Sequence, residues 1–140
     1  MNNKIKDLKP PMHADEHRLR LDQITEKVIG CAYTIGNILG CGFLEKVYEN
    51  ALAHEIRRLG LEVNQQYAIK VFYDNIIVGE YFTDLLVNDC VMVELKAVSQ
   101  LDNIHTAQCL NYLKATGLKV CLLINFGKPK IEVKRIVNQF

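Results

Sequence analysis

The sequence has almost no net charge, no apolar run long enough to cross a membrane, and no paired cysteines. Its 17 lysines and arginines stand against 16 acids, for a formal charge of +1, which argues against a strongly basic coat for nucleic acid. No apolar run approaches the ~20 residues of a membrane-spanning helix, so no membrane association is expected. The opening Met1-Asn2-Asn3-Lys4-Ile5-Lys6 lacks the apolar stretch of a signal peptide, which makes a cytoplasmic location the expectation. Cys31, Cys41, Cys90, Cys109 and Cys121 are odd in number and contain no Cys-x-x-Cys pair. That excludes a zinc cage and a disulfide framework, and they read as small apolar packing residues of a reduced compartment. Internal repeats and low-complexity segments are also missing.

What is there suits one domain. A chain of 140 residues, 49% apolar and 24% charged, is long enough for a real core and too short for two. Residues 1–20 are polar, contain Pro10-Pro11 and show no sustained apolar period; they are expected to form a flexible N-terminal tail ahead of a single domain at 21–140. Within the tail, His13-Ala14-Asp15-Glu16-His17 matches the H-x-x-E-H spacing of some zinc peptidases. That chemistry needs a packed helix and a third ligand, and a proline-flanked terminal segment offers neither, so zinc catalysis is rejected. Toward the C-terminus, Lys114, Lys119, Lys128, Lys130, Lys134 and Arg135 face only Glu132. Such a local excess could follow a phosphate backbone or simply form a solvated face.

From Leu21 onward the pattern is helical, with Ile24, Val28, Cys31, Ile35 and Leu39 on one apolar face. Gly40-Cys41-Gly42 interrupts it. A second helix is predicted from near Phe43, burying Leu44, Val47, Ala51, Ile56 and Leu59 and stopping at Gly60. Strands follow at about 62–73, 76–87 and 91–98, turning at Asp74-Asn75 and at Asn88-Asp89-Cys90. Asp102 can cap a helix over 103–116 that Gly117 stops. Residues 120–126 are continuously apolar, as in a central strand buried on both faces, and an edge strand follows at 131–137. This order implies an α/β sandwich with a mixed sheet.

The chemistry concentrates at Asp84 and at Glu94-Leu95-Lys96, charged residues on otherwise apolar strands. Glu94 and Lys96 point to one side of their strand and Leu95 to the other. Whether Asp84 joins them depends on register. A tight turn pairing Val87 with Cys90 would put Asp84 opposite Val93, on the wrong face. A longer connection over 88–90 pairs Val87 with Val91, Leu85 with Val93, and Asp84 with Glu94. Two carboxylates so close repel each other unless a cation lies between them, and an oxygen-preferring Mg²⁺ or Mn²⁺ relieves that repulsion. Such a metal polarises a phosphodiester and lowers the pKa of a water, while Lys96 can orient that water or neutralise developing charge. The competing explanation is a cross-strand ion pair on the surface.

Asp84 followed by Glu94-Leu95-Lys96 resembles the PD-(D/E)XK nuclease superfamily, and Gly42-Phe43-Leu44-Glu45-Lys46-Val47-Tyr48 resembles the signature of its GxxExxY family. Further matches are Thr83-Asp84-Leu85-Leu86-Val87, the stretch from Gln108 to Tyr112, and Leu122-Leu123-Ile124-Asn125-Phe126-Gly127, together spanning about residues 22–138. The resemblance implies a restriction-endonuclease-like αβββαβ core, with a mixed central sheet flanked by helices. It implies Asp84, Glu94 and the Leu95 backbone carbonyl as ligands of Mg²⁺ or Mn²⁺, with Lys96 as the catalytic lysine. Glu45 would extend the metal shell, often through water, and Gln108 and Tyr112 would help shape the site. Cys41 stands where the family often has proline.

Spacing supports these last roles independently: His105, Gln108 and Tyr112 share a helix sector beside the stripe of Thr106, Cys109, Leu110 and Leu113, and Glu45, Tyr48 and Glu49 share another. Glu45 could instead bind backbone donors in the first turn of its helix, and Tyr48 is expected to pack its ring while its hydroxyl finds a partner. The function expected is a metal-dependent nuclease acting on nucleic acid, DNA ahead of RNA. So small a domain has little surface to grip its substrate, so a homodimer or partner protein is expected too. The alternative is a non-catalytic binding or complex-forming module on the same fold.

Overall fold

The computed structural model describes the backbone of residues 10–138 and the side chains of 15–138. Two helices come first, α1 (Pro10–Leu39) and α2 (Glu45–Arg58). The sheet follows as β1 (Val63–Tyr73), β2 (Ile76–Val87) and β3 (Val91–Lys96), then α3 (Asn103–Thr116), β4 (Val120–Asn125) and β5 (Glu132–Val137). Strand order is sequential, with β3 and β4 parallel and every other pair antiparallel. The expected mixed sheet flanked by helices is therefore present.

The first helix begins at Pro10 rather than near Leu21, so residues 10–20 are helical and not a loose tail; residues 1–9 of that tail lie outside the described residues. Proline is tolerated in a first helical turn, where its missing N–H has no intrahelical partner. Residues 15–20 are all exposed. Exposed positions require no apolar period, and the helix propagates from the packed segment behind it. His17 is exposed and His13 lies outside the described side chains.

β4 is buried at every position, as its apolar run requires. Alternation along the strands then divides the core. Leu85, Val87, Val91, Val93, Leu122 and Ile124 pack toward α1 and α2, while Leu86, Met92, Cys121 and Leu123 pack toward Cys109 and Leu113 of α3. Of the residues predicted to be buried near the second helix, Ile56 is buried, but Leu44 and Leu59 are 80% and 52% exposed and Val47 is also exposed. The helix starts at Glu45 and turns Tyr48, Leu52 and Ile56 inward, which leaves Leu44 ahead of its first turn. Among the described residues no helix is long and apolar enough to cross a membrane.

The ladder of β1 and β2 is irregular in two places: its register shifts between Val71 and Phe72, and strict alternation fails at Gln66 and Asp84. Gln65 pairs with Leu85 and Tyr67 with Thr83, but the bridge between Gln66 and Asp84 is missing, and Gln66 has φ of 53°. Before the break, Leu85 faces α1 and α2. Beyond it, Ile69 packs on the α3 side and the Tyr81 ring lies 5.6 Å from that of Tyr112. The ribbon of β1 and β2 thus rolls over toward α3 at this point. A local ladder break raises strand twist, and a two-stranded ribbon twists more freely than a wide sheet.

Candidate active site

Asp84 sits where both ladders of β2 are interrupted. The connection over Asn88, Asp89 and Cys90 pairs Val87 with Val91 and Leu85 with Val93, the longer of the two registers considered. Asn88 and Asp89 both adopt left-handed backbone angles to make it, with φ of 49° and 56°. That register sets Asp84 across from Glu94, where side chains replace the backbone ladder. The Asp84 N–H donates to Glu94 Oε1 at 3.1 Å, and the Leu95 N–H donates to Asp84 Oδ2 at 2.7 Å. Thr83 Oγ1 donates to the Val93 carbonyl at 3.3 Å. Each acid therefore satisfies a backbone donor on the other strand, which holds both carboxylates at the break.

Their electrostatics match two carboxyls crowded together and largely withdrawn from water. Glu94 is 4% exposed, and burial, then the Asp84 charge, pushes its carboxyl from 4.5 up to about 7. Asp84 is also raised: burial outweighs the hydrogen bonds from Leu95 and Gln66, and the charges of Glu49 and Glu45 add to it. Among the described residues, no ion pair includes Asp84, Glu94 or Lys96. Lys96, half-buried, lies beyond Leu95 on the Glu94 side of β3.

The helical acids take unequal positions. Glu45 opens α2, is exposed, and makes no hydrogen bond or ion pair among the described residues; its charge reaches Asp84. Glu49, one turn later, is 3% exposed and accepts from Lys46 at 3.0 Å, Gln65 at 2.7 Å and Gln66 at 2.7 Å. Gln66 Nε2 also donates to Asp84 Oδ1 at 3.1 Å, so its left-handed residue connects α2 to the carboxylate pair. Sequence reasoning placed Glu49 on the face of Glu45 and missed Gln66, whose only signal was a polar pair, Gln65-Gln66, early in a strand.

Tyr48 fixes the turn ahead of α2. Its ring stacks on Phe126 at 4.6 Å, and its hydroxyl donates to the Gly40 carbonyl at 2.6 Å and accepts the Phe43 N–H at 3.2 Å. Gly42 has φ of 114°, a conformation that side chains rarely adopt.

Across the sheet, Gln108 Nε2 donates to the Tyr112 hydroxyl at 2.9 Å. Tyr112 is 6% exposed, and burial, then the Glu94 charge, pushes its phenol up to about 12. The structure thus brings Gln108 and Tyr112 to the Glu94 side of the sheet. His105 instead closes the capping box of α3, with Nδ1 accepting the Asp102 N–H at 3.2 Å. Beyond Lys96, buried Asn125 accepts from the Val98 and Gly127 N–H groups and donates to the Val98 carbonyl and Glu132. A Cβ on Gly127 would collide with the backbone of Ala97 and Val98, so glycine lets this clamp close.

The donor set fits a hard divalent cation. Glu94 is buried and Asp84 half-buried, both are raised, and neither is in an ion pair with a lysine or arginine among the described residues. Among the described residues no cluster of three or more His, Cys, Asp or Glu is arranged to hold a metal ion. Two carboxylates therefore make an incomplete shell, which suits an ion that keeps several waters and not one needing a closed protein cage.

The sequence model of the PD-(D/E)XK nuclease superfamily matches residues 22–136. Among solved structures, an alkaline exonuclease from Laribacter hongkongensis is similar, with a TM-score of 0.50 and 18% identity. The match covers 67% of this chain and 56% of that one, so the chain spans little more than half of that enzyme, and the likeness speaks to fold alone. No curated protein matches the sequence. PD-(D/E)XK nucleases generally use divalent metals, in keeping with this donor set, and the family match runs from within α1 through α2, the carboxylate-bearing strands and the Gln108–Tyr112 pair on α3: the chain belongs to the PD-(D/E)XK nuclease superfamily.

Proposed function

We propose that this protein is a Mg²⁺- or Mn²⁺-dependent phosphodiesterase of the GxxExxY group, cleaving DNA in preference to RNA. The observation that carries the reading is the pairing of half-buried Asp84 with buried Glu94, facing each other at a ladder break and in no ion pair with a lysine or arginine among the described residues. Asp84, Glu94 and the Leu95 carbonyl would hold the metal, with Glu45 reaching it through water. A divalent cation bound there supplies Lewis acidity to a phosphodiester and makes a nearby water more acidic. Lys96 extends from the same side of β3 as Glu94, where its ammonium can orient the attacking water and offset negative charge developing on phosphorus. Gln108 and Tyr112 border Glu94 and restrict how the substrate strand approaches. A homodimer or partner protein would add the surface for gripping nucleic acid.

The test is cleavage of labelled single- and double-stranded DNA and RNA with Mg²⁺, Mn²⁺ or EDTA, comparing wild type with Lys96→Ala. Metal-dependent cutting that the variant loses is expected. No cutting under any condition, together with no Mn²⁺ uptake by calorimetry, would leave a binding module on a nuclease fold.

A further inference from the structure

Where the ribbon of β1 and β2 rolls toward α3, the two enclose a cavity of about 750 Å³. Phe72 and Tyr81 wall it from the ribbon and Ile104 from the helix, and these side chains are 60%, 50% and 75% exposed. Apolar walls left to water at that level call for an occupant. Val71, Ala107 and Ala115 extend the apolar wall, and the polar side chains Gln108, Asn111 and Lys114 all sit on α3. Gln108 gives its Nε2 to Tyr112, leaving its Oε1 as an acceptor. Asn111 is exposed and offers both donor and acceptor.

Tyr112 is shared by the cavity and the Glu94 side of the sheet. It packs against Tyr81 and lies close enough to Glu94 to feel that residue's charge. An occupant here would lie on the same side of the sheet as Glu94, beside a phosphodiester held at Asp84 and Glu94. The walls decide which part enters. Flat aromatic faces gain nothing from a phosphate, and a paired base keeps its faces covered by its neighbours. An unpaired base offers open π-faces for stacking and an exposed edge for amide groups.

We propose that this cleft receives an unpaired base of the substrate strand, next to the phosphate cleaved at Asp84 and Glu94. The proposal rests on the nuclease reading and adds to it a substrate class: strands with an unpaired nucleotide beside the scissile bond, such as single strands and frayed ends. Phe72 and Tyr81 stack on the base, Gln108 and Asn111 meet its edge, and Lys114 draws the flanking phosphate toward α3.

The experiment uses the full chain carrying Lys96→Ala, with single strands and duplexes of about twelve nucleotides containing one 2-aminopurine. Single strands should bind with quenched base fluorescence, and duplexes without it. Phe72→Ala and Tyr81→Ala should each weaken single-strand binding by about five-fold or more and abolish the quench. Phe72→Trp should retain both; Phe72 is already exposed, so none of these changes removes a core residue. Unchanged binding and quench in both alanine variants, alongside metal-dependent cutting by wild type, would overturn the cleft and leave the nuclease reading standing. Failure of wild type either to bind or to cut any strand would overturn both. Self-association lost in Phe72→Ala, without any quench in the parent, would assign the walls to a second copy and reject the base.

Discussion

Replacing Glu94 by glutamine should make the metal-free protein more stable, and the size of the gain follows from its surroundings. Folding moves the carboxyl from 4.5 to about 7. Between those values the folded chain keeps a proton that the unfolded chain releases, so stability falls as pH rises, and the full cost is present above about pH 7. At 1.36 kcal/mol for each tenfold change, that cost is about 3 kcal/mol. Asp84 is raised as well and adds to it with the same sign. Glutamine keeps an oxygen for the Asp84 N–H and carries no charge, so in EDTA at about pH 8 the variant should melt roughly 10 °C above wild type. Near pH 4 the two should differ little. Saturating Mg²⁺ should raise the wild-type midpoint at about pH 8, do much less at about pH 5, and leave the variant unmoved at both. Thermal and urea unfolding across this range test the account. A wild type whose stability is flat between about pH 5 and 8, or a glutamine variant no more stable at pH 8, would refute it.

Two further substitutions probe the supports of the site. Tyr48→Phe removes the hydrogen bonds to Gly40 and Phe43 and should cost about 1–3 kcal/mol in urea unfolding; a loss below about 0.5 kcal/mol would mean that the ring alone holds the turn. Gln66→Ala withdraws a donor from both Glu49 and Asp84 and should cost about 2 kcal/mol. Its Mn²⁺ affinity near neutral pH should also fall, because Asp84 loses a bond that favours its charged form; unchanged affinity by calorimetry would show that Gln66 supports only the fold.

The register at the carboxylates was legible because the side-chain period of a strand is two: Asp84 meets Glu94 if the connection spans 88–90 or a nearby bulge corrects a tighter turn, and the longer connection is the pairing seen. The interior position of β4 followed from the apolar run Val120–Ile124, and the α3 boundaries from Asp102 and Gly117. The start of α1 was not legible, because a solvated helix leaves no apolar period to read. The roll of the ribbon at Gln66 and Asp84 was equally hidden. Alternation assigns faces only while the ladder is intact, and no glycine announces the left-handed residue at Gln66. The cleft between the ribbon and α3 exists because of that roll, so it too had no trace in sequence.

The crossed contacts at the ladder break make the two acids unequal to a mutagenist. Glu94 uses Oε1 for the Asp84 N–H, so an amide there can rotate to present its oxygen. Asp84 accepts on both oxygens, from Leu95 and from Gln66, and an asparagine would turn its NH₂ against one of two donors. Alanine at either position removes an acceptor for a strand N–H along with the charge. Inactivity after such a change confounds lost chemistry with a disturbed sheet, whereas Glu94→Gln separates them.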